Sequence, residues 1–337
     1  MADYAVLGAG AWGFALADLL AKAGHQVRLW GPEPDVIADL TDRRAFRDRM
    51  AGCKLHAAVE PAGELDAAVQ EAGGLVFAIP TQSLRSFFGL HAVKSEGRVW
   101  INAAKGIEQK TLKTAGAVLE EFAPPGVTVY TLSGPSHAEE VARELPTSVV
   151  LAGPDGQVRK DVQRDFSTPR FRVYTTDDRL GVELAAALKN VVAVAAGICD
   201  GLGFGDNTRG ALITRGLAEI TRLGRQLGGR WETFAGLAGM GDLITTCCST
   251  HSRNRKVGFE LGRGRRLEEI LAGMAEVAEG VATTPAARAL GRRHQLELPI
   301  IEQVYSVLYL DVAPARAVQE LMTRTLKEEA PTYAVPD

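Results

Sequence analysis

The spacing of apolar positions changes midway along the chain. In the first half, short runs of β-branched and aromatic residues alternate with stretches of helical periodicity. Residues 4–7 (Tyr-Ala-Val-Leu) predict a strand and 12–23 the helix after it. Further strands are predicted at 26–30, 75–79, 99–101, 127–131, 148–151 and 171–174. Such runs suit strands buried on both faces, as in a parallel sheet wrapped by helices. Past Tyr174 the pattern shifts. Thr175-Thr-Asp-Asp178 reads as a linker with capping residues, and no convincing strand follows. Helices are predicted over 181–199, 208–227, 266–274, 285–295 and 300–309, broken by glycine clusters and by Pro285 and Pro299. The expected fold is an α/β domain with a mostly parallel, doubly wound sheet (residues 1–179), then an all-helical domain (180–337). Only the tail after Glu328, with Pro331 and Pro336, reads as loose.

Length supports this division, because 337 residues exceed what one core usually serves. A formal net charge of -3 argues weakly against a nucleic-acid partner, while one local basic pocket would suffice for a small anion. Cys53, Cys199, Cys247 and Cys248 form neither a C-x-x-C pair nor a zinc-type cluster, so reduced thiols and no metal site are expected. The N-terminus has no signal-peptide pattern. The most apolar stretch, 191–199, is half a membrane span. A soluble, cytoplasmic protein with no membrane span is the expectation.

Candidate chemistry begins at Gly8-Ala-Gly-Ala-Trp-Gly13. The string G-x-G-x-x-G alone is weak, but here it follows a predicted strand and opens an amphipathic helix. That context is what a dinucleotide-binding turn requires. Gly8 permits the turn, Gly10 lets backbone approach a pyrophosphate, and Gly13 lets helix pack on strand. Free N–H groups at the helix start, from Ala11 and Trp12 onward, then face phosphate. A glycine turn with no ligand is the bland alternative. Glu33, twenty residues past Gly13 and with no basic neighbour until Arg43, favours NAD over NADP, because a carboxylate binds a ribose hydroxyl and repels a 2'-phosphate. It also reads as a solvated loop residue.

In the second half, Lys189 sits within an Ala/Val-rich helix, on the face of Val182, Ala185, Ala186, Val192, Ala193 and Ala196. A lysine there is either working, with a depressed pKa, or snorkelling to water. Leu237-Ala-Gly-Met-Gly-Asp242 is either a site loop or a plain turn with an N-cap. His251-Ser-Arg-Asn-Arg-Lys256 is either a phosphate grip or solvated surface. Ser133-Gly-Pro-Ser-His137 follows a strand, where substrate loops sit in α/β sheets. His137 is given no catalytic role.

Together these strings resemble the bacterial NAD(P)-dependent glycerol-3-phosphate dehydrogenases, in order and over nearly the whole chain. They are GAGAWG at 8, AKGIE at 104, LSGPSHAEE at 132, FRVY at 171, ALKN at 187, DGLGFGDN at 200, ALITRGLAE at 211, GMGDLITTC at 239, HSRNR at 251 and AEG at 278. The resemblance implies hydride transfer between NAD(P)H and dihydroxyacetone phosphate, giving sn-glycerol 3-phosphate for phospholipid synthesis. It implies Lys189 as catalytic acid/base, and Lys105, Gly134, Ser136, Asp242, Ser252, Arg253 and Asn254 as substrate contacts. Lys105, Ala138, Arg253, Val277 and Glu279 join Gly8, Gly10, Ala11, Trp12, Gly13 and Glu33 as cofactor positions. A homodimer is suggested.

The sequence departs from that pattern in places. Ala11 and Phe14 replace small polar residues of the glycine turn, and Ala104 replaces a Ser or Thr. Pro32 and Glu33 stand where many members carry His or Arg, which bears on NADPH use. Arg255 and Lys256 are expected to be solvated. Two rival readings remain open at this point. One is a dehydrogenase of the β-hydroxyacid or 6-phosphogluconate type, and the other is a non-catalytic NAD sensor.

Overall fold

A computed structural model describes residues 3–70, 72–93, 99–274, 277–326 and 328–329. Apart from Glu329, the tail read as loose lies outside them. The chain forms two compact units. One is Met1–Ala104 with Ala115–Arg179, and the other is Lys105–Thr114 with Leu180–Asp337.

The first unit holds an eight-stranded sheet: β1 (Tyr4–Leu7), β2 (Val27–Trp30), β3 (Val59–Ala62), β4 (Gly74–Phe77), β5 (Val99–Asn102), β6 (Thr128–Ser133), β7 (Thr147–Ala152) and β8 (Phe171–Thr176). Its order is β3-β2-β1-β4-β5-β6-β7-β8. All neighbours are parallel except β6 and β7. The helices of this unit are α1 (Ala11–Lys22), α2 (Pro34–Asp42), α3 (Leu65–Val69), α4 (Thr81–Leu90), α5 (Ala115–Phe122), α6 (Ala138–Ala142) and α7 (Gln157–Phe166). Separate apolar clusters, one around Phe14, Leu29 and Phe166 and another around Phe77, Trp100 and Leu119, account for the apolar character of both strand faces. β3 escapes the apolar pattern because it is an edge strand, Val-Glu-Pro-Ala. There Pro61 is tolerated and one face meets solvent. Thr175 and Thr176, read as linker, extend β8 instead, in register with Leu151 and Ala152.

The sheet order reverses between β1 and β4. Leu7 is level with Trp30 on one side and Phe77 on the other. The glycine turn therefore leaves the sheet at the crevice where such folds take ligands.

The second unit is helical: α8 (Arg179–Gly201), α9 (Asp206–Gln226), α10 (Trp231–Ala235), a π-helical turn (Leu237–Gly241), α11 (Asp242–Cys248), α12 (Arg253–Gly262), α13 (Leu267–Ala272), α14 (Glu279–Arg293), α15 (Pro299–Tyr309) and α16 (Pro314–Met322). α8 is long and apolar enough to cross a membrane, but its apolar window is wholly buried within the fold. It is the core helix. α12 packs on it backbone to backbone. A Cβ on Gly197 would lie 2.0 Å from the Arg255 carbonyl oxygen, and one on Gly258 would lie 2.0 Å from that of Val194.

Pro285 does not break its helix, contrary to expectation, and α14 runs through it. Proline has no N–H to give the Val281 carbonyl one turn earlier. The Tyr309 hydroxyl of α15 supplies the hydrogen bond instead, at 2.8 Å. A tertiary contact thus satisfies the carbonyl that Pro285 orphans and offsets that part of the penalty.

Candidate active site

From Gly181 to Cys199 every residue of α8 is buried, and Lys189 stands in the middle of that run at 4% exposure. An unpaired ammonium there would cost several kcal/mol. Asp242, itself 2% exposed, is the counter-charge. Its Oδ1 lies 2.9 Å from Lys189 Nζ and its Oδ2 lies 2.8 Å from Lys105 Nζ. Lys189 also donates to Thr246 Oγ1, and that hydroxyl donates to the Asp242 backbone oxygen at 2.6 Å. Lys189 is therefore held, not snorkelling.

Local structure aims Asp242 at this point. The π-helical turn before it adds a residue to one turn, a geometry frequent at functional sites. Gly239 fits there because any Cβ would lie 2.1 Å from the Phe234 carbonyl oxygen. Asp242 is the first residue of α11 and not its N-cap, which is Gly241. Thr246, one turn on, lies on the same face.

The electrostatics suit proton transfer. Burial pushes the Lys189 ammonium down, Asp242 pulls it back up and Lys105 pushes it down again, leaving a pKa of about 8. Burial pushes the Asp242 carboxyl up, but the two lysines outweigh it and hold the group below the ordinary carboxylate value. The result is a carboxylate between two ammonium groups, one of which titrates near the pH range where it can give or take a proton.

Ser252 is the N-cap of α12, its hydroxyl accepting from the Arg255 N–H at 3.2 Å. Arg253 is the first residue of that helix and is exposed. Asn254 is buried. Its amide donates to Asn190 Oδ1 at 3.0 Å and accepts from the Gly280 N–H at 2.8 Å, tying α12 to α8 and α14. Arg255 is not solvated as expected. It pairs with the buried side chain of Asp200 at 2.7 Å, which also pairs with Arg209 at 2.8 Å. Lys256 is exposed. Val277 is exposed and Glu279 opens α14 half-buried.

In the first unit the glycine turn has the shape a phosphate-binding cradle needs. Gly8 has φ +115°, and a Cβ there would lie 2.6 Å from the Ala78 oxygen. A Cβ on Gly13 would lie 1.8 Å from the Gly8 oxygen, so turn and helix meet without side chains. Gly10, by contrast, faces open space: nothing lies within 4 Å of a Cβ built there. α1 has no acidic residue in its first turn and no side-chain cap, which leaves Ala11, Trp12 and Gly13 presenting the positive end of the helix. These residues fit a bound pyrophosphate. Glu33 is exposed at the N-cap of α2, just past β2. Of the arginines that follow, Arg44 bonds the oxygens of His56 and Val59, Arg47 pairs with Asp39 and Arg49 lies over the Phe46 ring, whereas Arg43 is exposed. In the same unit Gly134 follows β6 at φ +144°, Ser136 Oγ donates to the Gly134 oxygen at 3.0 Å, and Ala138 opens α6.

Two family profiles match this chain. The NAD-dependent glycerol-3-phosphate dehydrogenase N-terminus covers residues 3–159, and the C-terminus of the same family covers 178–319. The chain belongs to the NAD-dependent glycerol-3-phosphate dehydrogenase family. Relatives named glycerol-3-phosphate dehydrogenase [NAD(P)+] include those of Citrifermentans bemidjiense, 48% identical over 96% of this chain and 98% of the relative, and Geobacter sulfurreducens, 50% identical over the same shares. A solved glycerol-3-phosphate dehydrogenase from Coxiella burnetii is similar with TM-score 0.90 and 37% identity, over 95% of this chain and 98% of that one. Membership in this dehydrogenase family is favoured over both rival readings.

Thr246 and Asn190 escaped the sequence reading. Each had a signal: Thr246 follows Asp242 at one helical turn, and Asn190 adjoins Lys189 in ALKN. Neither residue type stands out without knowledge of which face is buried.

Proposed function

We propose that this enzyme interconverts dihydroxyacetone phosphate and sn-glycerol 3-phosphate, and that the Lys105–Asp242–Lys189 cluster is where the reacting oxygen sits. The observation that carries this reading is a buried lysine with a pKa of about 8, shared through one carboxylate with a second lysine, in a chain of this family. When bound, the nicotinamide supplies or accepts the hydride at C2. Lys189 gives its proton to the C2 oxygen during reduction and takes it back during oxidation. Lys105 adds positive potential where negative charge develops on that oxygen, and Asp242 orients both ammonium groups. Arg253 holds the phosphate through its guanidinium fork, with Ser252 and Asn254 at the same helix start. Gly134 and Ser136 complete the proposed substrate contacts.

On the cofactor side, Gly8, Gly10, Ala11, Trp12 and Gly13 would hold the pyrophosphate, with Ala138 beside them, and Glu33 the ribose. Lys105, Arg253, Val277 and Glu279 are the remaining proposed cofactor positions. Residues 1–179 are read as the dinucleotide-binding domain and 180–337 as the substrate domain. Glu33, with no basic residue in 31–35, favours NAD. A cytoplasmic homodimer that feeds phospholipid synthesis completes the proposal.

Steady-state assays with NADH or NADPH, and with dihydroxyacetone phosphate or dihydroxyacetone, test this reading. NADH should serve at least as well as NADPH, and only the phosphorylated ketone should turn over. Equal rates with dihydroxyacetone would refute the phosphate grip, and a strong NADPH preference in kcat/KM would refute the role of Glu33.

A further inference from the structure

We infer that Glu183 is a positioning residue for Lys105, acting through Thr114, so that one helix sets the placement of both lysines at the site. Lys105 lies on no helix or strand of its own. It begins a ten-residue segment, Lys105–Thr114, that belongs to the helical unit although sheet elements flank it in sequence. Something must hold that segment in place. It closes on itself as a loop: Ile107 bridges Thr114 in antiparallel fashion, Glu108 N–H donates to the Lys113 oxygen at 2.8 Å, and Leu112 N–H donates to the Glu108 oxygen at 2.9 Å.

Besides the Lys105–Asp242 pair, three ties on the closed loop stand out among the described residues. Ile107 is fully buried in the helical core. Gln109 Nε2 donates to the Ala282 oxygen of α14 at 2.9 Å. Thr114 Oγ1 donates to Glu183 Oε2, and both residues are buried.

The third tie is the chemically specific one. Glu183 lies on α8 six residues before Lys189, a rise of about 9 Å along the helix axis. Thr114 is paired across the loop with Ile107, two residues from Lys105. The route from helix to ammonium is therefore Glu183, Thr114, the backbone bridge to Ile107, and Lys105. A buried carboxylate inside an apolar helix needs a hydrogen-bonded reason to be there, and here its partner is the loop that carries the second lysine. α8 thus carries Lys189 directly and holds Lys105 indirectly, on either side of Asp242.

Release of Lys105 has a specific electrical consequence. The ionisable groups acting on Lys189 are Asp242 and Cys247 from α11 and Lys105 from the loop, and Lys105 is the charged group that pushes Lys189 down. A loosened loop should therefore let the Lys189 pKa rise.

The inference rests on the proposed chemistry of the cluster, and the test separates the two. A double-mutant cycle combines Thr114→Val, which keeps shape but loses the hydroxyl, with Lys105→Ala. In the Lys105 background, Thr114→Val should lower kcat for dihydroxyacetone phosphate roughly tenfold, the worth of one hydrogen bond to a charged group. It should also move the falling alkaline limb of the pH profile to higher pH. In the Lys105→Ala background the same substitution should change neither. Thr114→Ser, which restores the hydroxyl, should recover the wild-type limb. Glu183→Leu, which removes both acceptor oxygens and is run through the same cycle, keeps the test decisive should the valine variant fail to fold. Additive losses in the two backgrounds, or a folded Thr114→Val enzyme with an unmoved limb, would overturn the inference. Wild-type protein with no turnover of dihydroxyacetone phosphate would instead overturn the proposed function.

Discussion

Replacing Asp242 by asparagine removes one charge and almost no volume, which makes it the sharpest probe of the cluster. The carboxylate lies 2.9 Å from Lys189 Nζ and 2.8 Å from Lys105 Nζ. At an effective dielectric constant of about 20, attraction at that separation is on the order of 5 kcal/mol per pair. Each pKa unit corresponds to about 1.4 kcal/mol, so loss of the carboxylate is worth several units at Lys189. With a pKa of about 8, Lys189 is roughly 90% protonated at pH 7. Without Asp242, burial and Lys105 both act to drive the proton off, and the amine is neutral at pH 7. A neutral amine cannot protonate the C2 oxygen during reduction. The expected outcome is a kcat for dihydroxyacetone phosphate reduction lower by about 10²–10⁴-fold at pH 7. Folded stability should fall by up to about 3–5 kcal/mol, as when one partner of a buried ion pair is removed. The assay is the pH profile of kcat/KM between pH 6 and 10 in both directions. In wild type, reduction should decline as pH rises through about 8, and oxidation, which needs the free amine, should rise over the same range. In Asp242→Asn the plateau should lie below pH 6, so the reductive rate should fall with rising pH across the whole window. A folded variant with kcat within tenfold of wild type and an unmoved decline would refute the assignment of the proton to Lys189.

Other expected outcomes concern the rest of the helical unit. Arg253→Ala should lower kcat/KM for dihydroxyacetone phosphate by roughly ten- to a hundredfold, with Arg253→Lys only a partial rescue, because lysine keeps the charge but lacks the fork. Arg255→Ala should instead leave KM nearly unchanged and lower the melting temperature, because it removes one partner of the buried Asp200, while Lys256→Ala should be neutral in both assays. Tyr309→Phe should cost about 0.5–1.5 kcal/mol in denaturant melts, because it strips the Val281 oxygen beside Pro285 of its donor. Glu219, buried on α9, accepts the Ile300 and Ile301 N–H groups at the start of α15, and burial raises its pKa to about 7 despite those bonds. The folded state therefore binds that proton more tightly than the unfolded state. Its contribution is greatest below about pH 4.5 and is lost as pH rises to about 7, by at most roughly 3 kcal/mol. Glu219→Gln should flatten stability against pH in that window, and an unchanged slope would refute the titration of this group.

Much of this protein follows from its sequence alone. Buried parallel strands have to be apolar on both faces, so most of the sheet announces itself as short β-rich runs. The turn after β1 has to be glycine at Gly8 and Gly13, where a Cβ would strike backbone, so with Gly10 the G-x-G-x-x-G string is legible as a unit. The long helices of the second half show the same way, through periodicity. Edge strand β3 did not show, because one face meets solvent and Pro61 is harmless there. Tertiary structure alone decided the rest, since the deciding contacts join residues far apart in sequence. Whether Lys189 snorkels to water or stays buried and paired turned on Asp242, 53 residues away, arriving beside it after a π-helical turn. Whether the carbonyl that Pro285 orphans finds a donor turned on a tyrosine hydroxyl from α15. Whether Arg255 is solvated like Lys256 turned on Asp200. Local propensity and spacing report which element forms and which face is apolar. The pKa of a buried lysine and the fate of an orphaned carbonyl depend on what the opposite element brings, and one element's pattern does not encode that.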